Sequence, residues 1–103
     1  MQFEEMTRAI AQGDPCPPSL PPALQGLWID RQGNWDQAHQ IVQDASDPDS
    51  AWVHAYLHRE EGDLGNARYW YRRAGKPVNQ QSLTAEWEAI AQTLCAKLPR
   101  IPA

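Results

Sequence analysis

The stretch Gly33-Asn34-Trp35-Asp36-Gln37-Ala38, followed by Val42 and Ala45, recurs as Gly62-Asp63-Leu64-Gly65-Asn66-Ala67, followed by Tyr71 and Ala74. Every equivalence falls at an offset of 29 residues. The same offset carries Leu27 and Trp28 onto Tyr56 and Leu57, and Pro48 onto Pro77. Small, apolar and proline positions agree together. A fixed period of about this length is the mark of stacked helical hairpins, in which each unit covers its apolar face only by packing on its neighbours. The repeat therefore constrains the fold more than any other feature of the chain, and it carries no reaction with it.

The punctuation of the chain agrees with helices. Phe3, Met6 and Ile10 recur at helical spacing and predict a short helix over residues 2–12, ended by Gly13-Asp14-Pro15. Pro15-Cys16-Pro17-Pro18-Ser19-Leu20-Pro21-Pro22 is too rich in proline for a helix or a central strand and reads as an extended, stiff connector. The first repeat then begins. Ala23, Leu24, Leu27 and Trp28 give one amphipathic helix ending near Gly33, and Asn34 caps a second over 35–45. Asp47 caps a third that starts at Pro48, gains from Asp49 in its first turn and stops at Gly62. Asp63 caps a fourth over 64–74, closed by Gly75 and Pro77. Ser82 opens a fifth, with Leu83, Trp87, Ile90, Leu94 and Leu98 as its stripe. No segment alternates as a strand.

The expected fold is all-α: two helical hairpins with a capping C-terminal helix. Residues 1–22 form the N-terminal helix and connector, 23–98 the repeat domain, and 99–103 a tail. The last hairpin leaves an apolar outer flank, and helix 82–98 is the natural cover for it. An end of the stack left uncovered would be apolar, and a homodimer would bury it.

Charge and composition narrow the function classes. At 103 residues the chain holds one domain. Its net charge of −4 argues against nucleic acid as a partner, since a phosphate backbone wants a basic surface. It has no apolar run long enough to span a bilayer. Met1-Gln2-Phe3-Glu4-Glu5 is acidic where a secretory leader is basic and then apolar, so a cytoplasmic location is expected. Cys16 and Cys95 lack metal-ligand spacing and are expected reduced, although the sequence leaves a bridge between them open.

The spacing Gly-x4-Ala-x3-[aromatic or aliphatic]-x2-Ala, with proline a few residues on, resembles the second half of a tetratricopeptide repeat. In that family the small residues let two helices of a hairpin approach closely; here they are Ala38 and Ala45, and Ala67 and Ala74. The period is shorter than the family's usual 34 residues, and His54 and His58 stand where the family usually has Leu and Tyr. Trp52-Val53-His54-Ala55-Tyr56-Leu57-His58-Arg59-Glu60-Glu61-Gly62-Asp63, with Asn66-Ala67 and Tyr69-Trp70-Tyr71-Arg72-Arg73-Ala74-Gly75, also resembles a signature of short bacterial and fungal proteins without an assigned activity. That resemblance spans roughly residues 23–98 and implies a helical-repeat fold.

Two function classes follow. In tetratricopeptide-like stacks the first helix of each hairpin lines a groove, which here would present Trp52, Tyr56 and Arg59. Aromatic and arginine side chains are typical of interaction hot spots, so capture of a protein or peptide partner is the leading expectation. The second class is metal binding. His54 and His58 are four apart and share a helix face, and His39 lies on the neighbouring helix. Three such histidines suit zinc or another first-row transition metal, with Glu61 and Asp36 as nearby carboxylates. Hydrogen-bonded core histidines are the structural alternative. An enzyme using one of these histidines as general base is a distant third, because no nucleophile elbow, phosphate loop or HExxH pattern accompanies them. No catalytic residues and no resident cofactor are expected under the leading reading. Tyr69-Trp70-Tyr71-Arg72-Arg73 reads as a solvated face, with Arg68 and Arg72 pairing Glu60 or Glu61.

Overall fold

A computed structural model describes residues 1–99; the tail beyond Pro99, including Pro102, lies outside the described residues. Among the described residues the α-helix is the only regular secondary structure. The helices are α1 (Phe3–Ala11), α2 (Pro22–Arg31), α3 (Trp35–Gln43), α4 (Pro48–Glu60), α5 (Leu64–Ala74) and α6 (Leu83–Ala96). Their starts are where the capping residues put them. Asn34, Asp47, Asp63 and Ser82 each accept a hydrogen bond from the backbone N–H three residues on, at 3.0–3.2 Å. Each such bond satisfies a donor that the first helical turn leaves free, worth about 1 kcal/mol. At the end of α5, Gly75 takes the left-handed conformation, with φ 70°, that closes a helix without a Cβ clash.

Short connections fold the chain back on itself twice. α2 packs on α3, and α4 packs on α5. α2 and α4 lie side by side at the centre of the core, with Leu24, Leu27 and Trp28 from α2 and Val53, Tyr56 and Leu57 from α4. Gly26 makes the close approach of α2 to its neighbours feasible, because a methyl group there would sit 2.8 Å from Val42 Cγ1 and 3.3 Å from Val53 Cγ1. A smaller cluster of Ala55, Ala67 and Tyr71, flanked by Trp52 and Trp70, joins α4 to α5.

α6 takes a different place from the one expected. It packs across α2 and α4 and against α1, while its only described side-chain hydrogen bond to α5 comes from Tyr71. Its stripe of Trp87, Ile90, Ala91 and Leu94 meets the apolar α2 and α4 rather than the outer face of α5, which presents arginines. Burial of apolar area decides this choice. The Trp87 indole N–H donates to Leu27 O at 3.1 Å, fixing α6 on α2. α1 closes the same side through Met6 and Ile10.

The proline-rich connector folds back onto α2. Leu20 is buried, Gln25 Nε2 donates to Leu20 O at 2.7 Å, and the Trp28 indole N–H donates to Asp14 O at 3.0 Å. Cys16 and Cys95 are both free thiols, with burial pushing each pKa up; Cys95 Sγ lies 3.7 Å from Met6 Sδ. No described helix is long and apolar enough to cross a membrane.

Candidate metal centre

The three histidines converge. His39 comes from α3, and His54 and His58 from successive turns of α4. Their ring centroids lie 4.7 Å (His39–His54), 5.1 Å (His39–His58) and 4.8 Å (His54–His58) apart. His39 Nε2 and His54 Nε2 face each other at 3.0 Å. One nitrogen from each of the three rings falls within 4.8 Å of the others. His54 and His58 are buried, and His39 is half-buried, so solvent approaches the cluster from the α3 side.

The helical hairpins explain the convergence. Residues four apart on α4 stack one above the other, which aligns His54 and His58. Ala38 at the α3 crossing is fully buried, and the next residue, His39, sits at the edge that looks across to α4. Aromatic walls hold the rings. Trp35 stacks on His39 with centroids 4.8 Å apart, and its N–H donates to Leu57 O at 2.8 Å. Trp70 of α5 stacks on His54 at 3.8 Å.

The second nitrogens are held unequally. His58 Nδ1–H donates to Glu61 Oε1 at 2.7 Å, which places a proton on Nδ1 and orients the ring. Among the described residues, His54 Nδ1 is buried and has no partner. If His54 Nε2–H donates to His39, a buried lone pair at Nδ1 is left bare. With the other tautomer, a buried N–H is. Either costs about 1–3 kcal/mol.

Burial and neighbouring imidazoles disfavour protonation at two of the three rings. Burial, then His39 and His58, lower the His54 pKa to about 3. Burial and His58 also lower that of His39, with Glu61 and Asp36 opposing. At neutral pH the imidazoles at 54 and 39 are therefore unprotonated, the form that binds a metal. Glu61 is the carboxylate in direct contact with the cluster; Asp36 acts on His39 only through its charge.

Trp52, Tyr56 and Arg59 do not form an open groove. Because α6 lies across α4, Tyr56 is only 3 % exposed and belongs to the core. Arg59 donates to Glu86 Oε1 at 2.8 Å and to Gln81 O. Trp52 keeps a half-exposed ring, with Lys76 Nζ 4.3 Å above it. Tyr56 and Arg59 are thus taken up by the fold itself, and Trp52 stays half-exposed.

Two features escaped sequence reasoning. Glu86 is fully buried on α6, where Tyr71 and Arg59 both donate to it. Its signal was a carboxylate one residue before Trp87 on a helix whose neighbours are apolar. The other is the contact of buried Asp30 with Glu60, in which burial and the neighbouring Asp30 push Glu60 up to about 8. No periodicity announces that pairing, since Asp30 and Glu60 lie on different helices.

What fold and site define is an all-helical protein with three imidazoles gathered between two adjacent hairpins. No protein-family model, curated protein or solved structure matches the chain.

Proposed function

We propose that this is a metal-binding protein whose ligands are His39, His54 and His58, and that zinc or another first-row transition metal is its ion. One observation carries the reading: three imidazole rings from two helices meet with His54 Nε2 only 3.0 Å from His39 Nε2. Two nitrogens bound to one tetrahedral zinc at 2.0–2.1 Å stand about 3.3 Å apart, so the pair would have to open by only a few tenths of an ångström. Nitrogen donors of this kind suit zinc, copper and nickel. Glu61 supplies the outer carboxylate that orients a ligating histidine and raises its basicity. Three protein ligands leave a fourth position for water or a small ligand, on the half-exposed side of His39.

Elemental mass spectrometry on tag-free protein, purified without chelator, tests this directly. About one equivalent of metal per chain, lost in His39→Ala, is the expected result. His39 is half-buried, so this variant keeps the core intact. A metal-free wild type that also fails to take up added zinc or cobalt(II) would end the proposal.

A further inference from the structure

The segment Leu64–Ala85 holds Arg68, Arg72, Arg73 and Lys76 and no carboxylate, although the whole chain has 13 acidic and 9 basic residues. Four of the nine cations thus fall on α5 and the turn after it, with no acidic residue among them. α5 packs only on α4, so its outer face is uncovered. Arg68, Arg72 and Arg73 are exposed on α5, Tyr69 beside them is 45 % exposed, and Lys76 is exposed just past the helix end.

The expected pairing of Arg68 and Arg72 with Glu60 or Glu61 does not form. Glu61 is bonded to His58, Glu60 lies against Asp30, and none of the described ion pairs involves these four cations. Two of the cations rest on aromatic rings instead. The Arg73 guanidinium lies 5.3 Å from the Trp70 centroid and 5.8 Å from that of Tyr69, and it donates to Tyr69 Oη at 3.0 Å. Lys76 lies over Trp52. The face therefore combines free positive charge with exposed aromatic surface, the composition enriched where proteins recognise partners.

We propose that the outer face of α5 docks a short acidic peptide carrying an aromatic or aliphatic residue. Its carboxylates would meet Arg68 and Arg72, which are four apart on one helical row, and its apolar residue would lie on Tyr69. Charge complementarity selects this occupant. A second copy placed face to face by a two-fold axis would set arginines against arginines. A long polyanion or a charged membrane would run off the strip onto carboxylates, since Asp63 caps α5 and Asp44 and Asp47 line a cavity with Trp70 and Arg73. Arg68 to Arg73 span about 8 Å along α5, which matches about two to three residues of extended chain.

The test is fluorescence anisotropy with a labelled probe: a peptide of Asp and Glu around one central Phe. Labelled polyuridine and phosphatidylserine vesicles run beside it. The peptide should bind at low salt and weaken steeply towards physiological salt. Arg68→Glu with Arg72→Glu should lower affinity by at least about tenfold, and Tyr69→Ala by a few fold, with helical circular dichroism and melting unchanged. The metal-site variant His39→Ala should bind the peptide as wild type does, which separates this face from the histidine cluster. No binding at low salt, undiminished binding by the double charge reversal, or tighter binding of polyuridine or vesicles than of the peptide would each overturn the proposal.

Discussion

Arg59 of α4 donates to the carboxylate of Glu86 on α6 at 2.8 Å, and that carboxylate has no solvent exposure. Tyr71 of α5 donates to the same group, and Arg59 also reaches Gln81 O in the segment leading to α6. One buried carboxylate thus ties α4, α5 and α6 together. Removing a single partner from such a pair leaves an uncompensated buried charge. Glu86→Ala should destabilise the fold by about 3–5 kcal/mol, read from urea unfolding. The joint change Arg59→Met with Glu86→Leu should recover most of that loss, because neither charge then remains buried. A loss below about 1 kcal/mol for Glu86→Ala would show the carboxylate to be hydrated.

The tight crossing at Gly26 gives a second prediction. Alanine normally favours a helix over glycine by about 1 kcal/mol. Here its methyl would meet Val42 Cγ1 at 2.8 Å, and a β-branched side chain inside a helix has little freedom to turn away. Gly26→Ala should therefore lose about 1–2 kcal/mol despite the better propensity. In a Val42→Ala background the same change should become neutral or stabilising. Additive effects of the two substitutions in thermal unfolding would remove this account.

How much of this could be read from the residues follows from range. Helix starts were legible because caps act within three residues: Asn34, Asp47, Asp63 and Ser82 all bond where the sequence places them. The 29-residue offset gave the hairpins and put His39 beside His54 and His58. The position of α6 was not legible. Its stripe fits any apolar neighbour, and the choice rests on what α2 and α4 offer relative to α5. That choice buried Tyr56 and engaged Arg59, turning an expected groove into core. Nor could sequence show the walls of the site. Trp70 looked like part of a solvated aromatic-basic run, yet it stacks on His54 from the opposite helix of the hairpin.

Glu60 and Asp30 make a prediction of opposite sign to most carboxylates. Burial and Asp30 raise the folded pKa of Glu60 to about 8, above the unfolded value. Its contribution is then most favourable below the unfolded pKa and is lost as pH rises towards 8. Glu60 is exposed at the residue level, so solvent screens the effect to about a few tenths of a kcal/mol. Glu60→Gln should match wild type near pH 5 and exceed it slightly at pH 8, in paired melting curves. A constant gap across that range would mean the two carboxyls do not interact.

The histidine cluster predicts that protons and metal oppose each other. His54 is buried with its pKa lowered to about 3, well below that of an exposed histidine. The unfolded chain therefore takes up a proton that the folded one refuses, and stability falls as pH drops below the unfolded value near 6.5. Glu60 contributes with the reverse sign, so the effect of His54 is read against a variant that keeps Glu60. In chelator, the stability of wild type relative to His54→Phe should fall by about 1 kcal/mol between pH 7.5 and 5.5. Excess zinc should stabilise wild type relative to His54→Phe at pH 7.5. An ion at a thousand times its dissociation constant adds about 4 kcal/mol to wild type and nothing to a protein without the site. That gain should shrink on acidification, as protons compete for the same nitrogens. Nickel or copper should quench tryptophan emission in parallel, since Trp35 and Trp70 stack directly on His39 and His54. If the gap between wild type and His54→Phe stays flat with pH, His54 is hydrated rather than held dry and unprotonated. If zinc leaves both melting curves unmoved, the three imidazoles are a packed core element and no ligand set.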